Sequence, residues 1–91
     1  MSIRVQLPPV LRAVTGGARQ LDAEGQSIAA ALSDLARKHP ALALHLFDEA
    51  GAVRRHVVCL HDSAVVRAAD MRSCAIRADD EIIITNALAG G

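Results

Sequence analysis

Hydrophobic and polar residues alternate from the start of the chain. Ile3, Val5 and Leu7 fall on one side of an extended segment and Arg4 and Gln6 on the other, the two-residue period of a half-buried strand. Pro8-Pro9 ends that strand, because proline cannot donate a ladder hydrogen bond. Val10, Leu11 and Val14 then offer apolar anchors before a turn signal at Thr15-Gly16-Gly17. Residues 19–23 read as a short second strand, with Leu21 inward, paired antiparallel to the first.

The period changes after Gly25. Ser27 is a good helix cap, since its hydroxyl can accept from an unpaired first-turn N–H. Ile28, Ala31, Leu32 and Leu35 follow as one apolar stripe, while Ser33, Asp34, Arg37 and Lys38 fall mainly on the other side. Lys38 and His39 suit the negative end of the helix, and Pro40 stops it at His39. Leu42, Leu44, Leu46 and Phe47 form a second apolar patch whose spacing fits either a short helical turn or an extended crossover. Residues 48–53, with Gly51 inside, read as a loop.

Residues 56–61 contain Val57-Val58-Cys59-Leu60, apolar on both faces, which suits a strand inside a sheet. His61-Asp62-Ser63-Ala64 is a turn and Val65-Val66 a short returning strand. Residues 68–78 read as irregular, with one helical turn around 71–75. Asp79-Asp80 makes a turn before a last strand at 81–85, in which Ile82 and Ile84 face inward. The order strand, strand, helix, then strands predicts a two-layer α+β domain, a mixed sheet of four to five strands with one main helix on one face.

Composition narrows the possibilities. With 91 residues the chain makes one small domain. Ten basic residues balance ten acidic ones, and Phe47 is the sole aromatic. There is thus neither a basic footprint for duplex nucleic acid nor a stacking platform for single strands. Cys59 and Cys74 do not have the spacing of a zinc or redox motif. Cys59 and His61, two apart on a strand, share a face, but His39, His45 and His56 do not extend them into a ligand pattern, so no metal site is expected. No residues suggest a catalytic constellation. With no apolar run of signal-peptide or membrane-spanning length, a cytoplasmic protein with no membrane partner is expected.

The chain finishes on Ala87-Leu88-Ala89-Gly90-Gly91. Without Cβ atoms, a diglycine can enter a channel that any other pair would block. Together with the strand at 3–7, the Gly16-Gly17 turn, the helix from Ser27, the run from Val57 to Asp62 and the segment from Ile82 to Gly91, this ending resembles the MoaD/ThiS family of ubiquitin-like sulfur carriers. The last five residues and the long first connection are most similar to the CysO branch.

The resemblance implies a β-grasp fold, with a ubiquitin-like domain at 1–85 and a flexible tail at 86–91. It implies a protein co-substrate and not an enzyme. An E1-like adenylyltransferase of the MoeB/ThiF type would use ATP and Mg²⁺ to activate Gly91, and sulfur would then convert it to a thiocarboxylate. The chain itself would bind no cofactor. Gly90, Ala89, Leu88 and Ala87 would thread into the partner, with Leu88 as the one sizeable anchor. Val58 and Leu60 would supply a docking surface on the sheet face left open by the helix. The sulfur would pass to a synthase, a cysteine synthase type first and a molybdopterin synthase large subunit second. A protein modifier and a non-catalytic interaction module on the same fold are the alternatives.

Overall fold

A computed structural model describes residues 2–86. Its centre is a five-stranded mixed sheet in the order β2-β1-β5-β3-β4. The opening alternation forms β1 (Ile3–Gln6) and the next segment β2 (Gln20–Ala23), antiparallel with Ile3 opposite Ala23 and Val5 opposite Leu21. β3 (Val57–His61) and β4 (Ala64–Arg67) make a hairpin, and β5 (Glu81–Asn86) lies between the two pairs. β5 runs parallel to β1, with Val5 opposite Ile82, and antiparallel to β3, with Leu60 opposite Ile83. β5 extends one residue past the expected strand end, and Asn86 pairs with Val57.

Three α-helices occur among the described residues. α1 (Pro9–Arg12) is a single turn that continues into a 3₁₀ turn at Ala13–Thr15. Gly16 and Gly17 then take positive φ values of 71° and 91°, a region that side-chain-bearing residues enter at a cost. α2 (Ile28–Lys38) starts as the sequence predicts: the Ser27 hydroxyl accepts the Ala30 N–H at 3.1 Å. Gly25 is required just before it. A Cβ there would stand 2.7 Å from the Ala31 backbone nitrogen, too close for any carbon.

The second apolar patch, left open between helix and crossover, is helical: α3 (Pro40–Leu46) has proline in its first turn, where no N–H is needed. Leu42 and Leu46, four apart, enter the core, while Leu44 is 75% exposed. Arg54 closes the helix by donating from Nε to the Leu44 carbonyl at 3.0 Å, so Arg54 has a structural task. Residues 68–78 hold a 3₁₀ turn at Ala68–Asp70, earlier than the helical turn expected around 71–75.

The core sits on one side of the sheet. Val5, Ile82, Ile84, Val57 and Cys59 meet Ile28, Ala31, Leu32 and Leu35 of α2, joined by Leu42, Leu46 and Met71. At the edge of this layer Asp34 is nearly buried. It accepts the Lys38 ammonium at 2.7 Å, the Arg37 guanidinium and the Glu24 N–H at 2.9 Å. The Lys38 contact foremost, then the Glu24 N–H, holds its carboxyl well below the usual carboxylate range.

Candidate functional site: the open sheet face and the strand that carries the tail

The tail residues Ala87, Leu88, Ala89, Gly90 and Gly91 lie outside the described residues. What the structure defines is the platform they leave from. They follow β5, the middle strand, which is hydrogen-bonded on both sides. Beside the end of that strand is a small cavity of about 50 Å³, lined in part by Pro8, Val10, Leu11, His45, His56 and Thr85. Val10, at its edge, is 54% exposed.

Alternation along β3 and β5 puts a second set of side chains on the face away from α2. Val58 stands opposite Thr85 and Leu60 opposite Ile83. β4 adds Val65 opposite Leu60 and Arg67 opposite Val58, and β1 adds Gln6 opposite Ile83. Val58, Leu60 and Ile83 are half-buried and Val65 is 62% exposed. The result is a short apolar strip across β5, β3 and β4, bordered by Arg67 and by Glu81, which accepts from Gln6 Nε2 at 2.7 Å. Neither α2 nor α3 covers it, so Val58 and Leu60 lie on the sheet face that the described helices leave open. Ile83 and Val65 were not singled out, although the same two-residue period in 81–85 and the pairing of Val65 with Leu60 would have found them.

The thiols and imidazoles divide between core and edge. Cys59 is fully buried, and burial, with Cys74 second, pushes its thiol up to about 12. His61, on the same strand face, turns to Asp80 and Cys74. Among the described residues no group of three or more His, Cys, Asp or Glu side chains is placed to hold a metal ion. No described helix is long and apolar enough to cross a membrane.

The profile of the ThiS family matches residues 5–91, from the opening strand through the diglycine. The chain belongs to the ThiS family, the ubiquitin-like sulfur carriers. It is 31% identical, over the full length of both chains, to the sulfur carrier protein CysO of Mycobacterium tuberculosis. Among solved structures, a chain of the Amycolatopsis orientalis BexX/CysO complex superposes with a TM-score of 0.81 at 25% identity, covering 98% of this chain and 99% of that one. SAMP1 from Haloferax volcanii superposes with a TM-score of 0.82 over the whole of both chains; at 24% identity that likeness speaks for the fold. The β-grasp expected from the sequence is the fold observed.

Proposed function

We propose that this ThiS-family chain carries sulfur as a thiocarboxylate on Gly91 and delivers it in biosynthesis, with cysteine synthesis as the pathway. A carboxylate at neutral pH is a poor acyl electrophile because it is already anionic. An E1-like partner, using ATP and Mg²⁺, joins the Gly91 carboxylate to AMP and releases pyrophosphate. A sulfur nucleophile then takes the acyl carbon and AMP leaves. The partner supplies the nucleotide site and the electrostatic stabilisation, and the carrier supplies a narrow stem. Gly90 keeps that stem thin, Ala89 and Ala87 line its approach, and Leu88 anchors it.

The observation that carries this reading is the family match reaching Gly91 on a chain alike to CysO along its whole length. The open strip of Val58, Leu60, Ile83 and Val65 supports it, because a partner that receives the tail can seat there. CysO of Amycolatopsis orientalis is found in complex with BexX, so a carrier of this kind can be held by another protein, and we assign this chain a synthase as its partner.

Intact-mass measurement tests the reading. The chain, with no residues added after Gly91, is incubated with its activating enzyme, ATP, Mg²⁺ and a sulfide donor. A shift equal to exchange of one oxygen for sulfur is expected, and addition of a cysteine synthase with its acceptor should reverse it. An unchanged mass with the cognate activator overturns the proposal. Reversal by a molybdopterin synthase large subunit alone would move the carrier to that pathway. Covalent ladders on cellular proteins would make it a modifier.

A further inference from the structure

At the end of β5 away from the tail, side chains from three separate stretches meet. His61 closes β3, Asp80 precedes β5, and Cys74 lies in the connection between β4 and β5. His61 Nε2 is 3.0 Å from Asp80 Oδ2, and its Nδ1 is 3.9 Å from Cys74 Sγ. The His61 side chain is only 13% exposed, so the ring is held in place.

The proton positions follow from the partners. Asp80 Oδ2 also accepts the Arg77 N–H at 2.8 Å; that bond first, and His61 second, lowers the carboxyl pKa and keeps the group ionised. An ionised carboxylate only accepts. His61 therefore carries its proton on Nε2, which also faces Asp62 Oδ2 at 3.8 Å. Nδ1 is left with a lone pair directed at the Cys74 thiol. Thiol, base and a carboxylate that orients the base is the arrangement that activates a nucleophile. Cys59 provides the contrast within the same chain: it is fully buried and inert.

We infer that Cys74 is a reactive thiol, with His61 as its base and Asp80 as the positioning residue, and that it exchanges with low-molecular-weight disulfides of the glutathione type. In the step, the Cys74 proton passes to His61 Nδ1 and the thiolate attacks one sulfur of the disulfide. The external S–S bond breaks and a Cys74 mixed disulfide forms. The released thiolate takes the proton from His61, so Cys74 is oxidised as the external disulfide is reduced. Half-burial of Cys74 favours a small reagent over a protein thiol. Asp80 stands about 20 Å from Asn86 along β5, six residues at roughly 3.4 Å each, and the exchange step uses no group of the C-terminal glycine.

The test uses the full chain and oxidised glutathione at neutral pH, read by intact mass and by mapping the Cys74 peptide, which is blind to the state of the tail. One glutathione adduct on Cys74 is expected. His61→Gln should slow its formation at least about tenfold, the low side of what a positioned base contributes. Asp80→Asn should slow it less and shift the pH profile of the rate, which a purely structural role would not do. Cys59→Ser should leave the rate unchanged. Because the His61 variant could disturb the fold, iodoacetamide alkylation of the unaltered chain is a second measure: Cys74 should react about tenfold faster than free N-acetylcysteine at the same pH. No adduct, an adduct on Cys59, loss of two hydrogens to an internal disulfide, or a Cys74 alkylation rate no higher than the free thiol overturns the inference.

Discussion

Val57 and Cys59 on one side of β3, and Val58 and Leu60 on the other, are chemically alike and differ by a single step along the backbone. The first pair is buried in the core on the α2 side, and the second is half-buried on a face that no described helix covers. β5 repeats the contrast with Ile82 and Ile84 against Ile83 and Thr85. One sheet thus gives its inner residues to stability and leaves its outer ones open for the recognition proposed above. A small domain gains from this economy, since every strand serves both layers.

Substitutions should separate the two roles. The largest effect belongs to the tail: Gly91→Val should abolish thiocarboxylate formation by mass while the urea midpoint stays at the unaltered value. Inside the covered face, Ile82→Ala should remove about 2–5 kcal/mol of stability, measured by urea unfolding. Leu60→Ser on the open face should cost no more than about 1 kcal/mol by the same measurement. It should nevertheless lower the rate of loading by the partner at least about tenfold, the equivalent of about 1.4 kcal/mol of docking energy. Equal stability losses at the two positions would dissolve the distinction between the faces.

Smaller effects sharpen the account of the covering layer. Ser27→Ala should cost about 1 kcal/mol, because the Ala30 N–H loses its acceptor. Asp34 makes the layer sensitive to acid. Its carboxyl pKa is lower folded than unfolded, so its contribution is present above the unfolded value of about 4 and is lost as pH falls through the folded value. Unfolding midpoints taken from neutral pH downward should therefore decline less steeply for Asp34→Asn than for the unaltered chain.

β1 was legible from its two-residue period, β3 from an unbroken apolar run and β5 from the apolar residues behind the Asp79-Asp80 turn, and α2 was legible because cap, stripe and Pro40 agree. α3 was ambiguous for a physical reason. Leu42, Leu44 and Leu46 also alternate like a strand, and only the structure shows Leu44 turned outward. The Val58 and Leu60 face followed from periodicity, and the role proposed for Gly90-Gly91 came from the family resemblance alone. The meeting of His61, Cys74 and Asp80 was not readable. These residues lie 13 and 19 positions apart, and the antiparallel pairing of β3 with β5 and the loop path that join them leave no local signal.

The seating of β5 between β1 and β3 also has a mechanical consequence. A load applied through the C-terminal end of the chain acts along a strand laced on both edges, and its parallel neighbour begins at the opposite terminus. Pulling the two ends apart loads those bonds together in shear, not one after another as in a peeled edge strand. Under the function proposed above, a partner that drew the end of the chain into a tunnel would not unravel the domain behind it.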